Sequence, residues 1–147
     1  MSVSLRDWES NGWLVSHAPS REEIADLLAV VDRDLGDAQT PGLSTDWRLN
    51  IAYNAALQAA TAALAGAGFR ATRESHHYRV IQSLALTIKA DAALVLQLDR
   101  FRKKRNIGGY ERAGAVSDQE AAEMLALALR VRHDVAAWIE RTHPDLL

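Results

Sequence analysis

Apolar and polar positions recur with a helical period through most of the 147-residue chain. After Ser20, the stretch REEIADLLAVVDRDL sets Ile24, Leu27, Leu28, Val31 and Leu35 at steps of three and four, on one face. Ser20 and Glu23 have the spacing of a capping box, so the pattern predicts a helix from there to about Leu35. GDAQTPGLS then breaks the chain. Ser44 or Thr45 is placed to cap a second helix, DWRLNIAYNAALQAATAALA, which ends at Gly66 and Gly68. Its alanines favour helix and let a neighbouring backbone come close.

TRESHHYRVIQSLALTIK predicts a third helix, and DAALVLQLDRFRKKRNI continues or restarts it before Gly108, with Leu94, Leu98 and Phe101 on its apolar face. Ser117 and Glu120 form a second capping box. The helix it opens carries a stripe of Ala121, Met124, Leu125, Ala128, Val131, Val135, Trp138 and Ile139, and Pro144 ends it. GWLVSH alternates like a strand, but nothing nearby in sequence offers it a partner. The reading is all-α: one domain over residues 1–147, an antiparallel four-helix bundle with an additional N-terminal or short helix.

Composition narrows the chemistry. Hydrophobic residues are 48% and charged residues 24%, ordinary for a folded domain. With no cysteine, disulfides and thiolate metal sites are excluded. No apolar stretch approaches the roughly 20 residues of a membrane span. The first residues, MSVSLRDWESNGW, lack the apolar core of a signal peptide, so the expected location is cytoplasmic, with no membrane partner. The formal charge is −2, yet Arg100, Arg102, Lys103, Lys104 and Arg105 fall together, with Arg112 just beyond. Such a cluster suits nucleic acid, and equally suits a helix C-terminus, where cations complement the dipole.

Other constellations carry less. His76 and His77 are adjacent, so on a helix they diverge and cannot chelate one ion as an i, i+4 pair does. His133 beside Asp134 has the same defect, so neither a metal nor a cofactor is expected. No nucleophile elbow or phosphate loop is present. FRKKRNIGGYERAG, residues 101–114, holds the one grouping with chemical promise. Gly108 and Gly109 end the helix, and Arg105, Asn106 and Tyr110 could face one side of that turn. A guanidinium fork matches phosphate oxygens, while the amide and the phenol add hydrogen bonds. Arg102, Lys103, Lys104 and Arg112 would then draw in an RNA backbone. A plain helix end with solvated bases explains the same residues.

LDRFRKKRNIGGYE, set between the alanine-rich helix with its GFR turn, SHHYRVIQSL, and the closing helix with AAWIE, resembles the signature of the HEPN superfamily (higher eukaryotes and prokaryotes nucleotide-binding domain). The resemblance runs from about Trp13 to Glu140. It implies a four-helix bundle that dimerises through this segment and binds RNA or a nucleotide, needing no metal. It gives Arg105 the scissile phosphate and Asn106 the polar place after it. Tyr110 stands where members of the family have a histidine. The toxin branch of the family further implies a nucleotidyltransferase-type antitoxin as partner.

That tyrosine departs from the pattern in a way that matters. A phenol with a pKa near 10 is ionised at about one part in a thousand at neutral pH, so it serves poorly as a general base. No other histidine is close in sequence; His76, His77 and His133 are those the fold could bring near. Three readings stay open: a module that binds RNA or a nucleotide at a dimer cleft, a metal-independent endoribonuclease toxin leaving 2′,3′-cyclic phosphate ends, and a structural or protein-interaction bundle.

Overall fold

The computed structural model describes residues 3–108 and 116–147. In chain order these form α1 (Leu5–Ser10), β1 (Leu14–Ser16), α2 (Arg21–Asp37), α3 (Thr45–Gly66), β2 (Phe69–Ala71), α4 (His76–Ser83), α5 (Ala92–Gly108), α6 (Asp118–Thr142) and a 3₁₀ turn, Pro144–Leu146. The fold is all-α, and among the described residues the one sheet is a pair of three-residue strands.

α3 is the hub. Buried residues occur all round it from Leu49 to Gly66, as expected of a helix with neighbours on every side. Ala52, Ala55, Ala59, Ala62 and Ala63 are fully covered, and their small side chains let α2 and α6 approach closely. Contacts along the helices fix their directions. Asn54 of α3 donates to Asp34 of α2 at 2.7 Å, while the start of α2 and the end of α3 share a cavity through Glu23 and Thr61, so these two helices are antiparallel. Thr45 donates to the Val116 carbonyl at 2.8 Å, and Gly66 lies beside Trp138, so α3 and α6 run parallel. α5 opposes α6: Arg130 reaches Asp91 at 3.4 Å, and Lys104 reaches Glu120 at 3.4 Å. The four long helices therefore run up, down, up, down, with the two parallel ones, α3 and α6, packed directly together.

Local sequence accounts for the ends. Ser44, rather than Thr45, caps α3 by accepting from the Trp47 amide, which leaves the Thr45 hydroxyl for Val116. The Ser117–Glu120 capping box forms in both directions. At α2 only half of the expected box forms. Ser20 accepts from the Glu23 amide, but the Glu23 carboxylate turns to His17, with both oxygens 2.8 Å from Nε2.

Three expectations change. GWLVSH does find a partner: Leu14 pairs with Ala71, Val15 with Arg70 and Ser16 with Phe69, because the length of α3 carries the chain back beside β1. The third helical stretch restarts rather than continues. Lys89 takes a left-handed φ of 58°, and the Asp91 carboxylate accepts from the Leu94 amide at 2.8 Å to open α5. On α6, Leu125 and Trp138 are only partly buried, while Leu127 faces the core.

Candidate phosphate-binding site

The last turns of α5 meet the start of α4 against the buried side of α3. Most of the basic cluster proves to be committed to carboxylates. Arg102 Nε donates to Asp99 at 2.7 Å, Lys103 lies 3.5 Å from the same carboxylate, Lys104 pairs with Glu120 and Arg100 with Glu123 at 3.9 Å. Arg105 is different: among the described residues no carboxylate lies within ion-pair distance of it. Its guanidinium carbon sits 5.2 Å from the centroid of the Tyr53 ring. A cation over an aromatic face gains about 0.5–2 kcal/mol and keeps its hydrogen-bond donors free at the guanidinium edge. Tyr110 and Arg112 lie outside the described residues, as does the side chain of Asn106, so their expected convergence with Arg105 is not part of this geometry.

Tyr53 links Arg105 to a histidine. Its ring is 1% exposed, and its hydroxyl lies 3.5 Å from His77 Nδ1, a long contact. Burial pushes the Tyr53 phenol up to about 12, although the charges of Arg105 and Arg102 pull the other way. The hydroxyl therefore stays protonated. His77 is lowered from the usual histidine range, first by burial and then by the nearby charges of Arg105, His76 and Arg102. At neutral pH its imidazole is uncharged, with one ring nitrogen a donor and the other an acceptor. The spacing of the basic motif gives no hint of this pairing. The one signal is a large aromatic, Tyr53, set into an alanine-rich helix.

An open cavity of about 410 Å³ lies in front, lined by Ser75, His76, His77, Tyr78 and Arg102. Ser75 precedes α4 in a left-handed conformation (φ 54°) and its side chain makes no capping bond, so the first amides of α4 keep their donors at this mouth. Arg102 also lies 5.5 Å from the Tyr78 ring centroid. Uncapped amides, the Arg102 guanidinium and the uncharged His77 imidazole on one hollow make a setting for a singly or doubly charged oxyanion. Among the described residues no group of three or more His, Asp or Glu side chains is placed to hold a metal ion, and no helix is long and apolar enough to cross a membrane. No family model, curated protein or solved structure matches the chain.

Proposed function

We propose that this protein is a HEPN-like RNA-binding domain that holds a backbone phosphate between Arg105, Arg102 and the start of α4. The observation that carries the reading is the state of Arg105. Arg100, Lys103 and Lys104 pair with carboxylates and Arg102 gives its Nε to Asp99, whereas Arg105 rests on the Tyr53 ring with no carboxylate in ion-pair distance among the described residues. The resemblance of the 101–114 segment supports RNA as the polyanion and a homodimer as the working form. It also supports a nucleotidyltransferase-type antitoxin as partner. Fluorescence anisotropy with a labelled single-stranded RNA tests the reading. Arg105→Ala should weaken binding about tenfold, and Lys103→Ala, whose charge is already shared with Asp99, by much less. Equal losses in the two variants, or none in either, would sink it.

A second reading, metal-independent cleavage, draws on His77. An imidazole uncharged at neutral pH has a ring nitrogen that can accept the proton of an RNA 2′-hydroxyl as that oxygen attacks the adjacent phosphorus, and its lowered proton affinity makes it a weaker base than a free histidine. Arg105 would meet the negative charge growing on the phosphoryl oxygens. The P–O5′ bond then breaks and the 5′-oxygen takes a proton from the His77 imidazolium, giving a 2′,3′-cyclic phosphate and restoring the base. This path needs no metal-bound water, so chelators should leave the activity intact, and His77→Gln should abolish it while sparing binding.

A further inference from the structure

The chain carries a net charge of −2, yet the stretch from β2 into α4 has the opposite sign. Arg70, Arg73 and Arg79 fall there with Glu74 as the one acid, and from α5 the charge of Arg105 acts on His77 in the first turn of α4. Most of the lysines and arginines pair with carboxylates. Among the described residues these four arginines do not, and outside the group only Arg21, Lys89 and Arg141 share that state. Arg79 is covered, with its guanidinium carbon 3.6 Å from the Trp13 ring centroid. Arg70 and Arg73 are exposed, and they line a cavity of about 390 Å³ that shares His76 with the phosphate hollow. The acid in that cavity, Glu23, already has both oxygens 2.8 Å from His17 Nε2. Arg73 is two residues from Ser75, which lines the phosphate hollow, so their Cα atoms are at most about 7 Å apart.

We propose that Arg73 and Arg70 hold the next phosphates of the RNA strand, which runs from the hollow at Arg102 and Arg105 past His76 onto the turn between β2 and α4. The inference rests on the RNA-binding reading above. An arginine with no carboxylate beside it keeps its charge for an anion from solution, and its fork matches phosphate oxygens. A single small oxyanion would occupy the hollow and leave Arg70 and Arg73 idle. A strand brings a phosphate at every step, so it gains from each arginine in turn and releases a counterion at each. An acidic peptide would meet the same charge, but the continuity with the phosphate hollow favours RNA. Glu74 stands in the same turn, exposed, and its charge opposes the strand. Sequence selectivity plays no part in such contacts, because phosphates position a strand without reading its bases.

The test uses the whole chain and labelled U12 RNA, with affinities from anisotropy over a series of KCl concentrations. Each phosphate contact to a single strand adds about 0.7 to the slope of log K against log salt. Arg70→Gln combined with Arg73→Gln should therefore lower the slope by about 1.4 and weaken binding roughly tenfold. Lys89 is exposed and equally without a carboxylate, but lies beyond the other end of α4, so Lys89→Gln should change neither. Glu74→Gln should tighten binding, a gain that no loss of fold can imitate. If the double variant keeps the parent's slope, if Lys89→Gln lowers it as much, or if Glu74→Gln brings no gain, the second contact is wrong. Arg105→Ala that still weakens binding in the same series leaves the phosphate site standing. If the parent binds no U12, both are wrong. A polyglutamate peptide that displaces U12 from the parent at equal charge concentration would overturn the RNA assignment in favour of an acidic protein partner.

Discussion

The phenol of Tyr53 touches both groups on which the proposed chemistry depends, and its two halves do different work. The ring face supports the Arg105 cation; the hydroxyl meets His77. Tyr53→Phe keeps the first and removes the second. It should leave the melting temperature within a few degrees of the parent, since a single long hydrogen bond contributes about 1 kcal/mol or less. RNA affinity should survive, while the His77 imidazole resonances, followed by NMR against pH, should titrate at a different midpoint. Unchanged titration would mean that the hydroxyl does not govern that ring. The pH dependence of stability has a sign set by the same ring. His77 holds a proton less readily in the fold than in the unfolded chain. As pH falls through the ordinary histidine value near 6.5, the unfolded chain takes up a proton that the fold refuses, and stability drops. The parent should therefore lose more melting temperature between pH 7 and pH 5 than His77→Gln does. Glu120, held low by the Ser117 amide and Lys104, and Asp91, held low by the Leu94 amide, lose their contribution only in the more acidic carboxylate range. A parent and variant with the same slope above pH 5 would refute the assignment.

At the scale of elements, the helices are legible in the sequence wherever their ends are local events. Ser44, Ser117 and the steps of Ile24, Leu28 and Val31 specify caps and faces within a turn or two. What escapes is whatever needs a residue far along the chain. β1 pairs with β2 across more than fifty residues that include α2 and α3, and the Glu23 side chain meets His17 instead of its own cap. The restart at Asp91 has neither glycine nor proline to mark it, only a left-handed lysine. The candidate site divides the same way. The run of bases is plain in the sequence, but Asp99, Glu120 and Glu123, which occupy most of it, lie on other turns or another helix. Two substitutions probe the elements directly. Gly36 is in the last turn of α2 with helical backbone and open space where a Cβ would stand, so Gly36→Ala should stabilise by about 0.5–1 kcal/mol. Asn54→Ala strips the inter-helix donor from Asp34, which is 6% exposed and keeps, among the described residues, only Arg33; this should cost about 1–3 kcal/mol in urea denaturation.

For the whole molecule the open question is how two copies would meet. Leu96 is 72% exposed on α5, beside a shallow hollow of about 490 Å³ that it lines with Ala93, Arg100 and Lys103. If the proposed homodimer forms, this exposed leucine marks α5 as the face that a second copy would cover. The direction of the meeting decides whether the sites cooperate. From Leu96 to Arg105 is roughly 14 Å along the helix, so antiparallel α5 helices crossing at Leu96 would hold their Arg105 residues roughly 27 Å apart. A two-fold axis running along α5 instead brings both Arg105 side chains to one end, where one RNA segment could span them. The chain contains no cysteine, so Lys103→Cys, at an exposed position, carries a single spin label. A cleft built by two facing sites requires one short label-to-label distance, about 10–15 Å with the helices aligned against about 21 Å along the axis for antiparallel helices crossing at Leu96, and Leu96→Glu should abolish it together with the dimer in light scattering. Distances beyond that range would leave each copy with a site of its own. A monomer at micromolar concentration would remove the shared cleft altogether.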